Sequence, residues 1–285
     1  TTRLTVGGGI YARDYYSNDN QFFGSATGTR NILLGGDGTR GTSTPNTGTD
    51  NFFVGRNAGR SNTTGSDNVF LGYDAGASNT TGTGNIFTGL QAGYLNTTGF
   101  DNIFSGYQAG LNNATGNENV FIGTGAGLGN TVGSYNVFTG SNAGRNATGT
   151  YNVFTGFQAG YNNGGGDNNI FTGAYAGYGN TTGSNNIFTG PQAGQFNATG
   201  TRNIFTGTQA GTSNSGGDDN IFIGSFAGFG NKIGIRNIFT GHQAGATNTI
   251  GSENIFSGND AGRFNTTGNT NIFMGTRAGY LNATG

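Results

Sequence analysis

One seventeen-residue sentence, typified by residues 85–101, NIFTGLQAGYLNTTGFD, recurs along nearly the whole chain. A period of this length decides the architecture before any other property is weighed. With Asn51 as position 0, the same Asn returns at 68, 85, 102, 119, 136, 152, 169, 186, 203, 220, 237, 254 and 271. Every step has the same length except that from Asn136 to Asn152, which is one place shorter. An outlying unit begins at Asn31, which makes about fifteen in all.

In the fourteen regular units position +2 is always Phe, +4 Gly, +7 Ala and +8 Gly. Asn stands at +11 and Gly at +14, each one place earlier in the short unit, which locates the missing residue between Gly144 and Asn146. Such identity between units means that each occupies an equivalent environment.

Strand geometry turns this pattern into a fold. NIFT is a short strand ended by Gly, a second short segment around QAG follows, and NTTG or NATG supplies the turn to the next copy. Two short strands and two turns per unit make one coil of a parallel β-solenoid or β-roll, with each strand paired to its copies above and below. One interstrand spacing of about 4.8 Å per coil predicts a rod roughly 70 Å long. No apolar set recurs at i, i+3, i+4, i+7, so helix is excluded. Residues 31–285 form the repetitive shaft in this reading, and residues 1–30 an N-terminal lead-in or cap. The chain begins TTRLTVGGG, without Met, and is read as a fragment or a processed product.

Composition supports an all-β reading against the competing ones. Gly is 60 of 285 residues, and Gly and Asn at fixed intervals suit turns rather than helix interiors. Disorder is disfavoured because the 23 Phe are placed by rule, and collagen because Gly is not every third residue. A net charge of −1 without charge blocks offers no groove for nucleic acid. No apolar run is long enough for a membrane-spanning helix, so no membrane insertion is expected.

Alternation along the strand predicts a partner. Positions +1 and +2 point to opposite faces, yet both are apolar. With Phe and the +7 Ala inside the coil, the +1 column, including Val69, Ile86, Ile103, Val120, Val137 and Ile187, becomes an exposed apolar stripe and a subunit interface. A parallel homotrimer buries three such stripes about one axis. Two other arrangements stay open: a wider monomeric coil that holds both columns, and Phe at the trimer axis.

The unit NIFTG followed by a small-residue segment resembles the head repeats of trimeric autotransporter adhesins. The fuller string NIFTG-xQAG-xxNTTG and the lead-in LTVGGGIYARDYYS are similar to repeat regions of bacteriophage tail fibres. That resemblance implies a trimeric fibre in a virion that carries a receptor-binding tip, or alternatively a bacterial surface adhesin or extracellular filament.

The residues offer little for catalysis. His242 is the only histidine and sits at the variable +5, so neither a Ser-His-Asp set nor a zinc cluster is expected. Acids precede the anchor Asn in some units (Asp67, Asp101, Glu118), but Tyr135 and Arg202 take that slot in others, against a repeating calcium site. No cofactor or metal is predicted. Nine Asn-x-Thr matches, Asn62 and Asn96 among them, are read as corners in which Asn takes left-handed or Asx-turn geometry, with a stacked amide ladder as a further option.

Recognition is therefore assigned to the variable positions +5, +6, +9 and +10. Tyr73, Tyr94, Tyr107, Phe157, Tyr161 and Tyr178 are the candidate surface, for a host glycan or protein. The competing reading has them cover neighbouring coils. Ice binding through Thr at +3 and +12 or +13 is a third reading, weakened by Val54, Leu71, Ile122 and Met274 at +3.

Overall fold

The computed structural model describes residues 31–34 and 47–285, together with the backbone of β1 (Asp14–Ser17) and β2 (Asn20–Gly24). From β3 (Ile32–Leu34) and β4 (Phe52–Val54) to β17 (Ile272–Met274), every coil contributes one three-residue strand to a continuous parallel sheet. Pairing is in register: Ile86 faces Ile103, Phe87 faces Phe104 and Thr88 faces Ser105. At the N-terminal end β1 and β2 pair antiparallel, and β2 meets β3 antiparallel through Gly24 and Leu33. The fold is a parallel β-solenoid, as the period implies. Most of the predicted lead-in lies outside the described residues.

Phe fills the interior. Its rings form one column from Phe53 to Phe273 with neighbouring centroids 4.7–5.0 Å apart and planes within 3–15°. Thirteen steps of about one interstrand spacing make the column roughly 60 Å long. The +7 Ala is buried opposite, from Ala58 to Ala261. The interior is too thin for anything larger beside the ring: a Cβ on Gly93, at +8, would stand 2.5 Å from the Phe87 ring. Gly93 also has φ +59°, so the position demands glycine on both counts.

The second half of the coil departs from the two-strand expectation. Residues 89–96 make three overlapping turns, in which the amides of Ala92, Tyr94 and Asn96 donate to the carbonyls of Gly89, Gln91 and Gly93 at 3.0–3.3 Å. Gln91 and Gly93 are left-handed at the third places of the first two turns, the conformation a type II turn requires there. The turns remain tied to neighbouring coils: Gly93, Leu95 and Thr97 donate to Ala109, Leu111 and Ala114 of the next coil at 2.8–2.9 Å. QAG is thus a turn ladder rather than a strand.

Two buried Asn columns flank the Phe column. At position 0, Asn85 Nδ2 donates to Asn68 Oδ1 at 3.2 Å and to the Gly99 carbonyl at 2.8 Å. Its own Oδ1 accepts from the amide and the Nδ2 of Asn102 at 3.0 and 3.1 Å. At +11, Asn96 Nδ2 donates to Asn79 Oδ1 at 2.9 Å and to the same Gly99 carbonyl at 3.0 Å. An amide side chain has two donors and two acceptor sites, and the position-0 column uses all four. That is the condition under which burying so many polar groups is tolerated.

The missing residue of the short coil is not where the sequence word NATG places it. Asn146 donates its amide to Tyr161 and Thr148 to Gly164, the bonds of positions +10 and +12, and Asn136 Nδ2 reaches the Gly149 carbonyl as other units reach +14. Position +13 is the one omitted. Ala147 therefore occupies the buried +11 place, and Asn146 is exposed, donating to Asn162 Oδ1 at 3.0 Å.

Candidate functional site: the outward faces of the solenoid

Because Phe points inward at +2, positions +1 and +3 both point out. Most of the +1 column is exposed, with Ile86 at 41%, Ile103 at 40%, Ile187 at 39% and Val137 similar, and Val69, Val120 and Ile221 are half-buried. All six predicted interface residues stand in this one column. In-register pairing keeps them collinear, one apolar side chain per coil from Ile32 to Ile272. Beside them at +3 run Thr155, Thr172, Thr189 and Thr206, exposed on consecutive coils, with Ile122, Ile223 and Met274 interrupting the column elsewhere. The +12 Thr does not form a second free hydroxyl array. Thr97 Oγ1 donates to the Ala114 carbonyl at 3.0 Å, and Thr80 Oγ1 to the Thr97 carbonyl at 2.9 Å.

The six aromatic candidates divide into different surroundings. Arg56 lies over the Tyr73 ring at 5.9 Å, and Arg60 Nη2 donates to the Tyr94 hydroxyl at 3.4 Å. Phe157 is exposed and meets Tyr175 edge-on at 5.3 Å; Tyr161 and Tyr178 are half-buried and stack at 5.1 Å. Arg145 lies over Tyr161 at 6.0 Å, and Tyr175 and Tyr178 are 5.9 Å apart. Residues 145 to 178 thus form a clasp of rings and one guanidinium across three coils. Tyr107, 47% exposed, has no ring or cation against it among the described residues. Stacking along the rod axis covers one face of Tyr161 and of Tyr178, so the covering role explains these two better than ligand stacking does.

Two left-handed columns escaped sequence reasoning. Position +6 has φ of 53–63° in every regular unit, and the place just before the anchor Asn has φ of 54–66°. The signal was present: position +6 is mostly Gln, Asn, Asp or Gly, and Gly, Asn and Asp are the types that enter this region most readily. Tyr175, Phe226 and Arg277 adopt it too, at a backbone cost of order 1 kcal/mol each. The corner Asn, by contrast, is not left-handed, against one expectation for it; its side chain turns inward and forms the stacked amide ladder that was the other.

The column before the anchor Asn carries two ion pairs, and Asp260 at +6 draws in Arg263 at 3.2 Å and Arg277 at 3.9 Å. Arg202 grips Asp219 with Nε and Nη2 at 2.6 and 2.9 Å, and Arg236 meets Glu253 at 2.6 Å. The hydrogen bond from Arg202 holds the Asp219 carboxyl below its ordinary range. Glu118 raises the phenol of Tyr135, which stacks on Tyr151 at 4.9 Å. His242 is exposed and edge-on to Phe226 at 6.1 Å. Among the described residues, no group of three His, Cys, Asp or Glu could hold a metal ion, and no helix is long and apolar enough to cross a membrane.

No protein-family model, curated protein or solved structure matches this chain.

Proposed function

We propose that this chain is a non-enzymatic shaft segment of a fibre, of the kind found in phage tail fibres, which assembles as a parallel homotrimer and supports host receptor binding at a distance. The observation that carries this reading is the unbroken +1 column. Fifteen aliphatic or aromatic side chains in one line, most of them about two-fifths exposed, leave roughly 1,000 Å² of apolar surface, against the few hundred that monomers ordinarily present. That area is also of the size one partner contributes to a stable interface.

A second copy of the same chain is the occupant that fits best. Its column has the same repeat and the same width, so parallel copies meet coil for coil and cover the stripe to its ends. Three around an axis also leave the +5, +6 and +9 positions facing outward, where a host glycan or protein would be met.

The assembly is tested by mass in solution. The wild-type chain is expected to sediment at three times 29.0 kDa, and a variant carrying Ile170→Lys, Ile187→Lys and Ile204→Lys at 29.0 kDa with its β-rich circular dichroism retained. A wild-type mass of one chain, or a trimer that survives the three lysines, contradicts the reading.

A further inference from the structure

The two amide ladders meet the short coil differently: at position 0 every Asn Oδ1 still accepts from the next coil's Asn, and the +11 column is cut there. Ala147 stands in the buried +11 place and has no amide side chain to offer its neighbours. On its N-terminal side Asn130 therefore turns on its own corner, where its Oδ1 accepts from the Gly133 amide at 2.7 Å and its Nδ2 donates to the Gly133 carbonyl at 3.2 Å. In turning, Asn130 no longer reaches the coil before it. Asn113 Oδ1 is left buried without a partner. On the C-terminal side, Asn163 donates only to its own Gly166 carbonyl, at 2.7 Å, and Asn169 Nδ2 leaves its column to reach Asn163 Oδ1 at 3.3 Å. One missing side chain thus disturbs the amides from Asn113 to Asn169.

The corner over the gap is also short of side chains. Position +13 is absent in this coil, and the next coil carries Gly164 at +12 and Gly165 at +13; a Cβ on Gly165 would meet nothing within 4 Å. Two places before the corner, at +9, the same coils are fastened by Arg145, Tyr161 and Tyr178, each over the next. A stack of repeats has a stability set by nearest-neighbour interfaces, so the weakest interface decides where it opens.

We propose that the short coil is the weak joint of the rod: the solenoid behaves as two cooperative blocks, and the interface between residues 136–151 and their neighbours opens first, at the +11 to +14 corner, with the aromatic clasp at +9 limiting how far the opening spreads. The ladder bonds lost on the two faces of the short coil correspond to an opening about tenfold more frequent than at an intact corner, and the orphaned Asn113 acceptor carries the weakness one coil farther.

Hydrogen exchange of the full chain, read amide by amide, tests this. The Thr148 amide, which donates to Gly164, is expected to exchange about tenfold faster than its counterparts Thr97 and Thr249 in intact coils. Ala147→Asn, which supplies the missing amide, is expected to slow Thr148 toward those two. Asn79→Ala, which cuts the ladder elsewhere, is expected to speed Thr80 to the rate of Thr148 and so transplant the weakness. Equal rates at Thr148, Thr97 and Thr249 overturn the weak joint. So does a folded Ala147→Asn chain with Thr148 still fast, and should that variant not fold, an unmoved Thr80 in Asn79→Ala overturns it alone.

Discussion

Asn186→Ala is expected to destabilise the solenoid by about 5 kcal/mol or more, although it removes only a small polar side chain from a rod full of them. Asn186 Nδ2 donates to Asn169 Oδ1 and the Gly200 carbonyl, and its Oδ1 accepts from the amide and Nδ2 of Asn203. Four bonds are lost, each worth about 1 kcal/mol net, and the buried Asn203 amide is left without an acceptor at a further cost of about 1–3 kcal/mol. Leucine in the same place fares no better, because the orphaned groups lie on the neighbours. Urea unfolding followed by circular dichroism measures the loss. A change below about 1 kcal/mol would mean that the ladder is incidental to stability.

Phe188→Ala is expected to cost about 3–5 kcal/mol, the range for emptying an aromatic site in a core that cannot collapse. Collapse is denied here by the fold itself: Phe171 and Phe205 are held 4.8 Å away on either side by strand pairing, and the backbone cannot close the gap without breaking those bonds. Phe188→Leu, which keeps most of the volume, is expected to cost about 1–2 kcal/mol. The facing glycine is as restrictive, since a Cβ on Gly194 would run into the Phe188 ring and Gly194 has φ +57°. In a repeat stack both losses should appear as a split transition, with the two flanking halves melting apart, rather than as a uniform shift.

What could be read from the sequence follows from which positions the coil constrains. The invariant Phe and Ala are fixed by an interior one ring wide, so their inward placement and the rise per coil were visible in the spelling. The +1 column was visible for the converse reason: alternation sent an apolar residue outward in every unit. Position 0 was plain as an anchor, but its amide network was not, because nothing in one Asn says that its copy in the next unit will be its partner.

The short coil misled for a physical reason. Asn146 to Gly149 spell the usual corner word NATG, so matching letters put Asn146 on the ladder. The backbone instead keeps step through Asn146 and Thr148, whose amides must meet carbonyls of the next coil, and drops the residue at +13, the outermost point of the corner. Hydrogen-bond spacing outranks residue identity there. The left-handed columns were missed in a similar way. Their Gln, Asn and Asp looked like free surface variation, whereas the turn backbone restricts them, and exceptions such as Tyr175 concealed the rule.

The claim on which the functional reading rests is that copies of this chain share the +1 column as their axis, in parallel. The chain has no cysteine, so Ile187→Cys gives a single site for a nitroxide label. Dipolar electron resonance on that protein, set beside the same label introduced by Thr199→Cys on the outer corner, measures the separation of equivalent positions. The account predicts a short distance at 187, a clearly longer one at 199, and the same pattern when 86 and 98 replace them; no dipolar coupling at 187, or equal distances at both positions, would contradict it.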